Sequence, residues 1–92
     1  MPASHVRHDA DGHRFVLDTP DGPARLDYVR DGSTVTFTHT AVPEAQQGEG
    51  RGGQLAEAAL DFARENGLTV EPQCPFVAHY MDEHPETQDL RA

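Results

Sequence analysis

The sequence predicts an α+β fold in which an antiparallel β-meander is followed by a helix, a strand and a second helix. Three observations support this prediction. Apolar and polar residues alternate in three segments before residue 41, turn signals separate those segments, and an apolar stripe of helical period begins after residue 53. A glycine-rich loop lies where the strand pattern gives way to the helical one.

The first half of the chain predicts three strands joined by tight turns. The first strand covers His13–Asp18, and the turn signal Pro20-Asp21-Gly22-Pro23 follows it. Apolar and charged residues alternate along the second strand, Ala24–Arg30, which ends at the hairpin signal Asp31-Gly32. Ser33–Thr40 is rich in threonine and other β-forming residues and completes the meander.

The second half predicts a helix that packs on this meander. Asn66-Gly67 is a typical C-terminal stop for it, Leu68–Val70 reads as a fourth short strand, and Phe76–Glu83 as a second helix that His84-Pro85 ends. The apolar positions of the first helix recur at intervals of three and four residues. They are Leu55, Ala56, Ala59, Leu60, Phe62 and Ala63.

Length and composition favour one small folded domain. The 92 residues have 36% hydrophobic content and a net charge of -9, and a chain this short builds a single core. We expect residues 1–11 to form a flexible leader and residues 12–92 to form the domain. Nucleic acid is not an expected partner, because only 7 basic residues face 16 acidic ones and they form no basic patch.

The sequence also predicts a cytoplasmic location. No segment approaches the roughly 20 apolar residues of a membrane span, and the N-terminal residues lack the apolar centre of a signal peptide. Cys74 is the single cysteine, so an internal disulfide is impossible. A free thiol agrees with a reducing compartment.

The glycine loop is the strongest functional signal. It runs from Gln47 to Gly53 and enters the first helix directly, with four glycines in its last six positions. Glycines permit positive φ and let backbone N–H groups approach a ligand, while a helix start offers unpaired donors and a partial positive charge. No Ser, Thr, Asp or Asn is present to cap those donors. The loop therefore predicts a phosphate-binding site.

Three alternatives to this interpretation concern the same loop. Gly48, Gly50 and Gly53 spell the G-x-G-x-x-G of dinucleotide folds, and Glu71 lies at about the distance of their ribose-binding acid. A dinucleotide loop leaves a buried parallel strand directly, however, and here hairpin strands and several polar residues precede it. An NTPase loop needs a Lys-Ser/Thr pair that is missing. The remaining alternative is a flexible linker whose glycines only form a turn.

A more specific pattern fits the loop and the residues after it. Gln47, Gly50 and Gly52 form Q-x-x-G-x-G between a strand and an amphipathic helix. Cys74-Pro75-Phe76-Val77 and His84-Pro85-Glu86 follow downstream. Together these elements resemble the small single-domain members of the GNAT superfamily of N-acetyltransferases. The resemblance covers nearly the whole predicted domain and implies a minimal GNAT-like fold.

The resemblance implies an acyl-CoA-dependent N-acyltransferase that uses acetyl-CoA and acts on an amine acceptor. In GNAT proteins the pyrophosphate of coenzyme A lies on the loop amides, and the pantetheine arm lies beside the preceding strand. Glu49 departs from the basic or neutral residue usual at its position, and its charge would weaken CoA binding unless it points outward or pairs with Arg51. The cofactor contacts implied by the resemblance are Thr40, Val42, Gln47, Gly48, Glu49, Gly50, Arg51, Gly52, Gly53, Phe76 and Tyr80.

His39 is the candidate general base. Histidine changes charge near neutral pH, and His39 lies at the end of the third strand, just before the loop. Strand alternation also predicts that His39 shares a face with Val35 and Phe37. The alternative is therefore a core histidine that bonds to a backbone carbonyl.

Cys74 is the second catalytic candidate. Its thiolate could accept the acyl group, or its thiol could donate a proton to departing CoA. A helix that starts at Pro75 would favour the thiolate form. The alternative is a small buried hydrophobic residue, the usual fate of a free cysteine.

The remaining functional expectations concern partners. The spacing of the histidines does not predict a metal site. A chain of 92 residues has little left to enclose an acceptor, so a homodimer or a protein partner would complete that site. The alternative functions are a CoA-binding regulatory or adaptor module without significant turnover, and an interaction domain that binds no CoA.

Overall fold

The computed structural model describes residues 6–48 and 50–92, which form one mixed α+β unit. The chain alternates strands and helices in the predicted order, with one additional strand at the start and short 3-10 helices at Glu44–Gln46 and Pro85–Leu90. The strands are β1 (Arg7–Asp9), β2 (Arg14–Thr19), β3 (Gly22–Asp31), β4 (Thr34–Ala41) and β5 (Thr69–Pro72), and the helices are α1 (Arg51–Glu65) and α2 (Pro75–Glu83).

The five strands form one sheet in the order β1-β2-β3-β4-β5. The first four pair antiparallel, as a meander joined by short turns must. β5 pairs parallel to β4, because α1 carries the chain back across the sheet between them. The α+β class and the order meander, helix, strand, helix are confirmed.

Both helices pack on the same face of the sheet and share one core with it. α1 contacts β2, β3, β4 and β5, and α2 contacts β4, β5 and α1. The predicted stripe of α1 is buried except for Phe62, which is partly buried against the cluster. The core side chains from the strands include Phe15, Leu17, Ala24, Leu26, Tyr28, Val35, Phe37 and Val70.

The opposite face of the sheet carries no helix in the described part of the chain. On β3, Arg25, Asp27 and Val29 alternate with core residues and point to this face. Val29 is 57% exposed, so the described residues leave more than half of it open to solvent. We call this surface the helix-free face.

Part of the segment expected to be a flexible leader forms a strand, β1, at residues 7–9. β1 pairs antiparallel with β2, with His8 opposite Phe15. The His8 ring stacks on the Phe15 ring at a centroid distance of 4.4 Å, and its Nε2 lies 2.6 Å from the Tyr28 hydroxyl. These contacts fix a segment whose sequence has no strand pattern of its own. Residues 1–5 lie outside the described residues.

A β-bulge in β4 overturns a second expectation. Tyr28 pairs with Phe37, but Asp27 pairs with His39, so Thr38 is an extra residue in β4. A bulge reverses the alternation of the strand beyond it. His39 therefore lies on the helix-free face and is exposed, and the expectation that it shares a face with the core residues Val35 and Phe37 is wrong.

The helix boundaries differ slightly from the sequence prediction. α1 begins at Arg51, so Gly52 and Gly53 belong to its first turn and not to the loop. The predicted stop is confirmed: Gly67 has a φ of 67°, and Leu68 N–H donates to Ala63 O at 2.9 Å. No helix in the described part of the chain is long and apolar enough to cross a membrane.

Candidate functional site

An open groove of about 450 Å³ lies where the end of β4, the glycine loop, the start of α1 and the start of α2 meet. Its polar part is the loop and the helix start, and its apolar part includes Val42 and the Phe76 ring, which is 40% exposed. All of the described residues that line it are among the predicted cofactor contacts. They are Thr40, Val42, Gln47, Gly48, Gly50, Arg51, Gly52, Gly53 and Phe76.

The glycine loop owes its path to two positive φ angles. Gly48 has a φ of 87° and Gly50 a φ of 81°, in the left-handed region that other residues rarely adopt. The side-chain amide of Gln47 donates from Nε2 to Val42 O at 3.1 Å, which connects the loop to the residue that follows β4. Glu49 lies outside the described residues, so its expected effect on affinity stays a prediction.

The start of α1 leaves backbone donors uncapped. Gly50 is the N-cap residue, no side chain among residues 6–48 and 50–92 is recorded as capping the helix, and its first turn holds no acidic residue. The first intrahelical bond runs from Gln54 N–H to Gly50 O at 3.1 Å. The N–H groups of residues 51–53 therefore have no acceptor within the helix, and all three residues line the groove. Arg51 adds a positive charge at the same end, where the helix dipole is already positive.

Gly52 allows α2 to pack closely against α1. A Cβ at this position would lie 2.6 Å from Cζ of Phe76, closer than real side chains come. The Phe76 ring therefore occupies the space above Gly52 and forms one wall of the groove. At Gly53 a Cβ would meet the Tyr80 ring at 3.9 Å, an ordinary contact.

Cys74 lies directly behind the groove. It is 5% exposed, and its Sγ is 3.2 Å from Oγ1 of Thr40, which lines the groove. Its backbone N–H donates to Phe37 O at 2.8 Å, which fixes the turn into α2. The thiol is thus buried, as the alternative interpretation expected, and also adjacent to the site, as the catalytic one requires.

β4 and β5 separate beside the groove. Their parallel ladder ends at the pair Phe37 and Pro72, after which the chain turns away into α2. Residues 38–41 of β4 pair only with β3 within the described residues. The edge of β4 that faces away from β3 is therefore open at this point, and the two faces of the sheet meet around it.

His39 and Tyr80 are not among the described residues that line the groove. His39 follows the bulge and lies on the helix-free face, next to the groove residue Thr40 in the chain. Tyr80 lines a separate cavity of about 100 Å³ between α1 and the C-terminal segment. Its ring stacks on His84 at 3.9 Å. Burial raises the pKa of Tyr80, and nearby acids, Glu57 first among them, raise it further.

The bulge at Thr38 shapes the site, and the sequence analysis did not predict it. A threonine in a run of threonines gives no signal for an extra residue in a strand. Within residues 6–48 and 50–92, no three His, Cys, Asp or Glu side chains come together in a way that could hold a metal ion.

The fold and the groove over a glycine-rich helix start define the class of protein. A GCN5-like protein from Staphylococcus aureus, solved by NMR, superposes with a TM-score of 0.75 over 100% of this chain and 91% of that one, at 23% identity. This likeness concerns the fold alone. The sheet, the parallel β4–β5 pair and the two helices are thus those of a minimal acetyltransferase fold.

The family follows from the sequence. The model of the GCN5-related N-acetyl-transferase family matches residues 14–90, and the chain belongs to this family. The resemblance to GNAT proteins is thereby confirmed, and the chain carries an acyl-transfer domain at the family level.

Curated relatives carry the name Protein NATD1. The zebrafish protein (Danio rerio) is 39% identical over 88 residues, which cover 92% of this chain and 80% of the relative. The Xenopus tropicalis protein is 40% identical over 57 residues, or 62% and 52% of the two chains, and the human protein is 41% identical over 56 residues, or 61% and 50%. In these last two matches, the alignment spans about half the length of the relative.

Proposed function

We propose that this chain binds acetyl-CoA in the groove and transfers its acetyl group to an amine. The observation that carries the proposal is the uncapped start of α1 beneath a glycine loop, which opens into a groove large enough for part of a coenzyme. Bound acetyl-CoA would supply an activated acyl thioester. The residues of the chain would hold it, exclude water and handle one proton.

The pyrophosphate fits the polar end of the groove. Three backbone N–H groups at residues 51–53 lack intrahelical acceptors, and the positive end of the helix dipole lies at the same point. Arg51 at the first helical position adds a positive charge that would be favourable beside an anion bound there. The donor set is therefore that of an anion site.

The pantetheine arm fits the apolar end. Val42 and Phe76 line that end of the groove, and the open edge of β4 over residues 38–41 offers backbone groups to an extended chain. Thr40 and Cys74 mark the point where this edge begins. We therefore place the thioester near Thr40.

His39 is the proposed base for the amine. It is exposed, free of the core, and adjacent in the chain to Thr40. Attack on a thioester requires an uncharged amine, and a nearby imidazole can take the proton that the amine loses. An exposed imidazole at the open edge of β4 is suitably placed for an acceptor that arrives from solvent.

Cys74 is proposed to act behind Thr40. The thiol would either take the acetyl group as a thioester, its proton going to CoA, which leaves as the free thiol, or donate its proton to the CoA thiolate that departs when the amine attacks. Incubation with acetyl-CoA followed by intact-mass spectrometry separates the two roles. A gain of one acetyl group in the wild type but not in Cys74→Ser supports the covalent route.

The experiment that tests the function couples binding to turnover. Calorimetry with acetyl-CoA measures binding, and release of free CoA thiol in the presence of a panel of amines measures transfer. Phe76→Ala is expected to weaken binding because it removes the apolar wall of the groove. Val29→Ala, at an apolar residue on the helix-free face that is also exposed to solvent, at 57% against 40% for Phe76, is the control and should bind normally.

The outcomes distinguish the candidate functions. Binding together with thiol release and an acetylated amine supports the N-acyltransferase. Binding without thiol release from any amine indicates the CoA-binding regulatory or adaptor module instead. Absence of binding contradicts both.

A homodimer or protein partner would enclose the acceptor, and sedimentation with and without acetyl-CoA tests the dimer.

A further inference from the structure

A row of four ionisable side chains crosses the helix-free face from β1 to the end of β4. Arg14 on β2 pairs with Asp9 on β1 and with Asp27 on β3, and Asp27 in turn pairs with His39 on β4. Directly opposed residues of paired antiparallel strands lie on the same face, with Cβ atoms about 5 Å apart. The row therefore alternates acid and base across four strands, and its last member, His39, lies at the open edge of β4.

The two carboxylate oxygens of Asp27 are used unequally. Oδ2 accepts a hydrogen bond from Arg25 Nε at 3.2 Å, whereas Oδ1 is buried and has no hydrogen-bond partner among the described residues. Arg14 does not supply one, because its Nε lies 3.8 Å from Oδ1 and its side chain also faces Asp9 across the β1–β2 pair. A buried oxygen without a donor costs free energy, so a hydrogen bond from a neighbouring side chain would stabilise it.

His39 is the neighbour with an unused donor. It is exposed, and within the described part of the chain the structure gives it no hydrogen bond or ion pair. The other charged groups near it are Arg25, which lies diagonally across on β3 and bonds to Asp27, and Glu71 on β5, which pairs with Thr36 before the bulge. The His39 ring can turn toward Asp27 without disturbing the core, because neither residue belongs to it.

We propose that Asp27 is a positioning residue for the base, and that its Oδ1 accepts a hydrogen bond from Nδ1–H of His39. This inference rests on the proposed N-acyltransferase function, in which His39 takes the proton of the amine. The short aspartate side chain reaches the ring nitrogen nearer the backbone, Nδ1, before it reaches Nε2. The hydrogen bond fixes the tautomer with its proton on Nδ1, which leaves Nε2 unprotonated and directed away from Asp27.

This tautomer is the one that a base at the edge of β4 needs. The amine nitrogen bonds to the acetyl carbon, the amine proton passes to Nε2 of His39, and the C–S bond breaks to release CoA as a thiolate. The thiolate takes a proton from Cys74 or from solvent, and the imidazolium returns its own proton to solvent. Overall, one proton moves from the amine to CoA. The Asp27 carboxylate stabilises the imidazolium while it exists.

The tautomer of His39 tests the proposal without any substrate. Long-range proton–nitrogen correlation NMR, at a pH where the imidazoles are neutral, shows which ring nitrogen carries the proton. We expect Nδ1–H for His39 in the wild type. His79 is the internal reference, because its Nε2 lies 3.3 Å from Glu83 Oε2 and should carry the proton there. A proton on Nε2 of His39 would overturn the proposal.

Asp27→Asn should move the His39 proton to Nε2. Arg25 donates to the Oδ2 position, so the amide keeps its oxygen there and places its NH₂ group at the Oδ1 position. That NH₂ group donates to Nδ1, which then carries no proton, and Nε2 is no longer able to accept one from the amine. Asp18→Asn is the matched control, because Asp18 lies on the same face opposite a proline and pairs with Arg7. It should leave the tautomer unchanged.

Turnover shows whether the contact acts in the reaction. We expect Asp27→Asn to lower kcat by about 10- to 100-fold, part of the roughly 10²- to 10⁴-fold that a general base supplies. KM for acetyl-CoA should not change, because Asp27 is not among the described residues that line the groove. Added to His39→Ala, the same substitution should cause no further loss, since a positioning residue acts only through its base. Asp18→Asn should keep the wild-type kcat.

The inference and the proposed function fail in different ways. An unchanged kcat in Asp27→Asn, or additive losses in the double variant, overturns the role of Asp27 and leaves the N-acyltransferase in place. Absence of thiol release with every amine overturns both the function and the role of Asp27 in it. The wild-type tautomer needs no variant, so the proposal can still be refuted if Asp27→Asn does not fold.

Discussion

Single residues decide the shape of the groove. Gly52 has no side chain, so the Phe76 ring can pack directly against it. A Cβ at this position would lie 2.6 Å from Cζ of Phe76, which is too close. Thr38, as an inserted residue, sends His39 to one face and Thr40 to the other. Gly52 and Thr38 carry no charge themselves, yet they determine which side chains lie at the groove and at its edge.

Gly52→Ala should narrow the groove. The added Cβ would lie 2.6 Å from the Phe76 ring, which must then swing outward at a cost of about 1 kcal/mol. Calorimetry should show weaker binding of acetyl-CoA and denaturant unfolding a slightly lower stability. Gly53→Ala is the matched control, because its Cβ would make only an ordinary contact at 3.9 Å. Equal affinities for the two variants would contradict the role of Gly52.

His39→Ala should slow transfer without affecting the fold. Loss of a general base lowers kcat by about 10²- to 10⁴-fold, whereas removal of an exposed side chain changes stability by less than about 0.5 kcal/mol. His79→Ala, at a residue whose side chain is 70% exposed on α2, is the control and should keep full activity. An unchanged kcat in His39→Ala would exclude the base.

At the scale of helices and strands, the start of α1 shapes the groove. α1 is held by its apolar stripe, and its first turn lines the groove, just after Gly50 takes a left-handed conformation at the N-cap. In β1, by contrast, the contact with the core comes from the central residue of the strand. Its ladder with β2 and the Arg7–Asp18 ion pair hold it at the edge of the sheet, and its central residue His8 packs on Phe15 and meets Tyr28.

Gly50→Ala should lose both stability and affinity. Nothing lies within 4 Å of an added Cβ, so the cost is the strain of alanine at a φ of 81°, about 1 kcal/mol. Gly32→Ala is the control, since Gly32 has a φ of 61° in the turn between β3 and β4 and also has open space around it. Both variants should be similarly destabilised in denaturant, while acetyl-CoA affinity falls about tenfold only for Gly50→Ala. An equal fall in both would show that strain alone is responsible.

Acidification should loosen β1. Burial lowers the pKa of His8 from its usual 6.5, and Asp9 partly opposes this. The unfolded chain then binds the proton more readily than the folded one, so the free energy of unfolding falls as the pH drops below about 6.5. His8→Asn should flatten this dependence between pH 7 and pH 5, as measured by denaturant unfolding. The same slope in both proteins would show that His8 is not responsible.

At the scale of the whole molecule, the sequence predicts the features that are determined within a short segment of the chain. The meander, the apolar stripe of α1 and the glycine loop follow from short patterns, because turn signals and the glycine motif act within a few residues, whereas Thr40, Val42 and Phe76 were expected at the groove only from the family resemblance. β1 and the bulge depend on contacts with distant elements and leave no local pattern. The face of His39 could not be predicted for that reason, and the placement of Tyr80 in a separate cavity required the packing of α2 on α1.

The binding of acetyl-CoA to the groove is the central claim, and amide NMR during a titration with acetyl-CoA tests it most directly. The predicted result is a saturable set of shifts, largest at residues 51–53 and 40–42, with Gly32 and the amides of β1 unmoved. Shifts that do not saturate, or that concentrate away from the start of α1, would contradict the account.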